Sequence, residues 1–142
     1  MKIGIINGPN LNLLGIREPE IYGHDTLAHM EVKIRKAVRE SEVELQFHQS
    51  NSEGEIIDLL HSLRYDWEAD GIVINPGSYS HYSYAIRDAI SAIEIPVVEV
   101  HISNTQAREE FRHRSVTAGA CVGKIEGLGW VGYVLGVVYL SS

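Results

Sequence analysis

Apolar residues in this chain fall into short continuous runs, separated by longer stretches in which they recur every three or four positions. Lys2-Ile3-Gly4-Ile5-Ile6-Asn7 is such a run, too brief for a helix and cut off by Gly8-Pro9, so it reads as a buried strand. Val43 to Phe47, Gly71 to Asn75, Pro96 to His101 and Ala120 to Glu126 read as four more strands. Pro76-Gly77 stops the third, and Pro96 opens the fourth where no ladder donor is needed. Between them, Asp25-Thr26 can cap a helix that sets Leu27, Met30, Ile34, Ala37 and Val38 on one face. Ser50 and Glu53 have capping-box spacing before a second helix, whose face holds Ile56, Ile57, Leu59, Leu60 and Leu63. A third helix is predicted over about residues 80–93, with Tyr82, Ala85, Ile86, Ala89, Ile90 and Ile93 turned inward. The charged stretch 104–115 reads as a short helix or turn, and 128–139 as a last helix held by packing rather than propensity.

Strand and helix alternate five times, which predicts an α/β fold: a parallel sheet with helices on both faces. For five strands the expected order is 2-1-3-4-5, the flavodoxin-like arrangement with the first strand at the centre. At 142 residues the chain is expected to form one domain over 1–142.

One segment resists this pattern. Gly8 to Gly23 contains two prolines, three glycines and no helical or strand period. Unstructured loops of more than about 12–15 residues are uncommon in compact domains and usually functional. This one hangs from a strand end and holds Asn10, Asn12, Arg17, Glu18 and Tyr22, so it reads as a lid or a site.

The formal net charge of −7 argues against nucleic-acid binding, which rests on clustered Lys and Arg. An anionic ligand would have to be met by local donors. Cys121 is the single cysteine, which excludes a disulfide framework and suits a reducing cytoplasm; its neighbours point to a buried strand thiol. No signal-peptide pattern opens the sequence, and the apolar stretch 128–140 is shorter than the ~20 residues of a membrane span, so the expectation is a cytoplasmic protein without membrane partners.

In open α/β sheets ligands sit outside the carboxyl ends of the strands. Those ends read Asn7-Gly8-Pro9-Asn10, Asn75-Pro76-Gly77 and His101-Ile102-Ser103-Asn104, on three strands expected to be neighbours. Asn75 alone is equally well a turn former. Glu99 lies two residues before His101, on the same strand face, where a carboxylate can orient an imidazole. His81 and Asp88 are seven residues apart on one stripe of the third helix, which a solvated face explains almost as well as binding. Arg112 and Arg114 sit in a charge run that would ordinarily be surface, and Tyr22 could simply pack. The scattered histidines show no metal-ligand spacing, and no phosphate loop follows the first glycines, so neither metal nor cofactor is expected.

Four long stretches, NGPNLNLLGIREPEIYG, QSNSEGEIIDLLH, INPGSYSHYSYAIRDAI and VEVHISNTQAREEFRHRS, occur in the order found in the type II 3-dehydroquinate dehydratases, and the chain resembles that family over nearly its whole length. The resemblance implies a flavodoxin-like fold, a small-molecule substrate, 3-dehydroquinate, no cofactor, and a homododecamer built from trimers. It implies anti elimination of water through an enolate, in shikimate biosynthesis or quinate catabolism. By position, it makes Tyr22 the tyrosinate base, Arg17 the cation that keeps that phenol ionised, Asn10 the holder of a water on the enolate oxygen, and His101, positioned by Glu99, the acid. It also assigns Asn75, His81 and Arg112 to the substrate's hydroxyl side, Ile102 and Ser103 to its carboxylate, and Asp88 to a neighbouring subunit's site. Ser78, Ser80, Tyr82 and Tyr84 stand where the family more often has Ala, Thr, Thr and Val. A non-enzymatic binding module, or a lyase acting beside another ketone, is the competing reading.

Overall fold

The apolar runs pair as the alternation predicts. In the computed structural model, which describes residues 1–142, β1 (Lys2–Asn7), β2 (Glu44–Gln49), β3 (Gly71–Asn75), β4 (Val97–His101) and β5 (Gly123–Glu126) form one parallel sheet in the order β2-β1-β3-β4-β5. Because side chains alternate along a strand, Ile3, Ile5, Val73, Val98 and Val100 meet α2 (Leu27–Val38) and α5 (Val131–Leu140) on one face. Ile6, Ile72, Ile74 and Val97 meet α3 (Glu53–Tyr65) and α4 (Tyr84–Ala92) on the other. Covering both faces is what lets β3 and β4 be buried at every residue. Each fully buried isoleucine contributes about 1.5–3 kcal/mol relative to exposure, so the two layers together hold the central strands in place.

Several local expectations are corrected. The 8–23 segment contains a 3₁₀ turn at Leu11–Leu13 and a single helical turn, α1 (Pro19–Tyr22), too short to leave a periodic signal. Thr26 caps α2 with His29 completing the box, but the cap of α3 is Ser52, accepting from Glu55 N, and not Ser50. Ser50 instead accepts from Ser52 N at 3.0 Å, bracing the approach to the helix. The third long helix starts at Tyr84 behind a Ser83 cap, because residues 77–81 wind as a 3₁₀ turn. Tyr82 and Ala85 are therefore exposed, as is Ala37 on α2, and His81 does not share a helical stripe with Asp88. β5 begins only at Gly123, so Cys121 lies before the strand; burial pushes its thiol up to about 12, which makes it an inert half-buried group.

The strand ends are brought together by backbone. Asn7 lies opposite Asn75 in the β1–β3 register. One residue on, Gly8 N–H donates to the Asn75 carbonyl at 2.8 Å, and a Cβ on Gly8 would stand 2.6 Å from the Pro76 oxygen. Any side chain there would force the two loops apart. Gly77 turns the β3 loop with φ of 60°, a conformation that costs glycine nothing.

Candidate active site

At the end of β4, Glu99 is 0% exposed and His101 7% exposed. A ring nitrogen of His101, Nε2, lies 2.9 Å from Glu99 Oε2. The same carboxylate accepts from Ser115 Oγ at 2.7 Å and from Thr117 Oγ1. Burial alone would raise the Glu99 carboxyl, but the bonds from His101, Thr117 and Ser115 outweigh it and hold the group below the usual range. Glu99 is thus a fixed anion under the imidazole, which orients the ring. Ser115 and Thr117 were not visible as site residues in the sequence, since hydroxyls 16 and 18 positions from Glu99 leave no local pattern.

The other wall is the 8–23 segment. Glu18 enters α1 with φ of 40°, a left-handed non-glycine conformation, and Gly23 leaves it with φ of 84°. Between these two special backbone positions stands Tyr22. The Arg17 guanidinium lies 4.9 Å from the Tyr22 ring centre, and Arg108, from the 104–115 segment, lies 5.1 Å from it. Arg108 is a cavity residue that sequence reasoning did not single out. It sits in an aperiodic charge run that reads as surface, yet its Nη1 donates to Ser103 Oγ at 3.1 Å and its buried Nε has no partner within the protein.

Asn10, at φ of 68°, is held by its N–H donating to Asn51 Oδ1 at 3.0 Å, which ties the β1 loop to the β2 end. His81 Nδ1 lies 2.7 Å from the Arg114 carbonyl, which can only accept, so Nδ1 carries the proton. Burial lowers the His81 imidazole from its ordinary value, leaving a neutral ring with Nε2 as an acceptor. Arg112 is steadied by Glu109 at 3.0 Å and by the Phe111 ring at 4.6 Å. Asn75, Ile102 and Ser103 stand at the ends of β3 and β4.

Asn10, Arg17, Tyr22, Asn75, His81, His101, Ile102, Ser103, Arg108 and Arg112 all line one cavity of about 150 Å³. Glu99 lies behind its wall, and Asp88 is exposed outside it. Only three of its fifteen lining residues are hydrophobic, and it gathers three arginines on a protein of net charge −7. Such a lining suits a small, oxygen-rich anion. None of the four lysines reaches it: Lys2 bonds the Trp67 carbonyl, Lys33 pairs with Asp25, Lys124 with Glu126, and Lys36 is exposed on α2. No three His, Cys, Asp or Glu side chains converge as a metal site, and no helix is long and apolar enough to cross a membrane.

A doubly wound parallel sheet, with a phenol, an imidazole backed by a carboxylate and clustered guanidinium groups beyond the carboxyl ends of β1, β3 and β4, defines a flavodoxin-like α/β protein with a polar site. Residues 1–141 match the family model described as dehydroquinase class II. The chain belongs to that family. It is 56% identical over 138 residues to the 3-dehydroquinate dehydratase of Bacillus licheniformis, covering 97% of this chain and 94% of that one. It is 57% identical over 140 residues to the 3-dehydroquinate dehydratase of Carboxydothermus hydrogenoformans, covering 99% and 90%. The crystal structure of type II dehydroquinase from Butyrivibrio crossotus superimposes with a TM-score of 0.96 at 50% identity, covering 100% of this chain and 98% of that one.

Proposed function

We propose that this chain eliminates water from 3-dehydroquinate to give 3-dehydroshikimate through an enolate. The observation that supports this most is the pairing, in one cavity, of a phenol flanked by two guanidinium groups with an imidazole backed by a buried carboxylate. The relatives' names support the dehydration itself. A phenol is a weak base at neutral pH unless nearby positive charge favours its anion. Tyr22, as tyrosinate beside Arg17 and Arg108, takes the proton next to the ketone. The electron pair moves onto the carbonyl oxygen, where a water held by Asn10 stabilises the enolate. His101 then gives its proton to the departing hydroxyl as the enolate collapses to the enone, and Glu99 balances the imidazolium charge until then.

Asn75, His81 and Arg112 hold the hydroxyl side, and the Ile102–Ser103 corner takes the carboxylate. The base comes from the lid and the acid from the end of β4, separate elements that suit an anti elimination. Asp88, exposed and outside the cavity, serves a neighbouring copy's site in an assembly of trimers, the homododecamer of this reading. The protein works in the cytoplasm, in aromatic precursor synthesis or in quinate breakdown.

With purified protein and 3-dehydroquinate alone, enone absorbance is expected to rise, and borohydride added with substrate should leave activity intact, because no lysine lines the cavity to form an imine. Absence of enone from folded protein would leave only a binding module or a lyase for another ketone. A reduced lysine adduct in the mass spectrum would overturn the mechanism.

A further inference from the structure

Behind the cavity wall runs a polar chain that the proton transfers do not use. Tyr133, on α5, is 0% exposed in an otherwise apolar layer. Its hydroxyl donates to Asn7 Oδ1 at 2.6 Å and accepts from Asn75 Nδ2 at 2.9 Å. Burial keeps the phenol protonated by pushing it well above its ordinary range. A phenylalanine would fill the same space without needing any partner, so the hydroxyl has to be explained by what it bonds.

The direction of these bonds follows from one group that cannot reverse. Gly77 N–H, 3.1 Å from Asn75 Oδ1, is a backbone donor with no acceptor capacity. Asn75 must therefore turn its carbonyl oxygen to Gly77 and its NH₂ to Tyr133. The Tyr133 oxygen is then the acceptor for Asn75, and its own proton goes to Asn7. A reversed amide would set its NH₂ against the Gly77 N–H and would take the tyrosine proton away from Asn7. With its oxygen committed and one N–H given to Tyr133, Asn75 has a single N–H left for the cavity it lines.

We infer that Tyr133 is a positioning residue: with Asn7 on one side and the Gly77 N–H on the other, it locks the Asn75 amide so that the substrate cavity receives an N–H donor and never a carbonyl oxygen. This rests on the reading that Asn75 grips the substrate. His81, on the same cavity, offers the complement, since its proton is committed to Arg114 and its Nε2 accepts. A donor from Asn75 and an acceptor from His81 together fit a hydroxyl group, which accepts one bond and donates another. Tyr133 thus helps decide which oxygen chemistry the site recognises, without touching the ligand.

The test is a double-mutant cycle with steady-state kinetics on 3-dehydroquinate. Tyr133→Phe should raise KM about tenfold, the scale of one binding hydrogen bond, with a smaller change in kcat and an unaltered pH profile. Asn75→Ala should raise KM at least as much, and adding Tyr133→Phe to it should change KM no further. A purely structural role would instead lower the active fraction, hence kcat, in both backgrounds with KM constant, and that result overturns the inference. If Asn75→Ala raises KM while Tyr133→Phe does not, the inference fails alone. If Asn75→Ala leaves KM unaltered, the underlying reading fails and takes the inference with it. Should Tyr133→Phe not fold, Asn7→Ala keeps the ring packing and frees the tyrosine proton to compete for the Asn75 oxygen. KM should again rise, by less than in Asn75→Ala, and an unaltered KM overturns the inference.

Discussion

The His101 wall and the Tyr22 wall of the cavity are built by opposite means. His101 and Glu99 sit on a central strand, buried, with the carboxylate bonded by three side chains. Tyr22 sits on one helical turn entered and left through positive-φ residues, its ring partly packed on the core and flanked by charge: Arg17, a third of whose side chain is exposed, and Arg108. On the proposed reading the acid stands on the rigid wall and needs no repositioning, whereas the base stands on a short segment able to move aside for substrate.

The comparison breaks most sharply if either reacting group is removed. Tyr22→Phe and His101→Ala should each lower kcat by roughly 10² or more, the usual contribution of a positioned acid or base. Near wild-type turnover in a variant folded by circular dichroism would show that its wall does not do chemistry. Next in size is Arg17→Ala, which removes one of the two charges against the phenol. Turnover should fall by roughly tenfold to a hundredfold, and the pH profile should move to higher pH, because less positive charge remains to favour the phenolate. Arg108 keeps the loss partial, and Arg17→Lys should recover little if the planar fork is what packs on the ring. An unmoved profile in a variant that still turns over would mean that Arg17 only grips substrate.

The smallest effect sharpens the fixed wall. Glu99 has a lowered carboxyl in the folded protein, so its stabilising contribution is present above the ordinary carboxylate range and is lost as pH falls through the depressed folded value. Thr117→Val removes one of the bonds that lower it. The acid-unfolding midpoint should therefore move to higher pH, with a loss at neutral pH of about 1–2 kcal/mol, read by chemical denaturation. An unchanged midpoint would show that Thr117 does not hold the carboxylate.

How much of this was legible before the fold depended on whether a signal was periodic. The buried strands were plain, because parallel strands covered on both faces read as apolar runs, and their polar last residues marked Asn75 and His101. The alternation of elements predicted the parallel sheet, and the flavodoxin-like order expected of five strands is the one observed. Boundaries were less secure where capping residues crowd: Ser50, Ser52 and Glu53 offer two overlapping caps, and only the docking of Ile56 and Leu60 decides for Ser52. Arg108 escaped because its segment has no period, and its meaning comes from a ring that lies far off in sequence. Tyr133 escaped for the opposite reason: surrounded by Val, Leu and Gly on α5, it reads as core, which it also is.

The bond between Tyr133 and Asn7 closes a loop of 126 residues. The first strand and the last helix therefore meet behind the substrate site, and that wall is complete only when nearly the whole chain has emerged and docked. Contacts of such separation form late, since their closure entropy must be met before they return any stability. A chain still being synthesised holds Tyr22 and His101 before it holds Tyr133. If Asn75 grips the substrate as proposed, full affinity is in this way tied to completion of the fold.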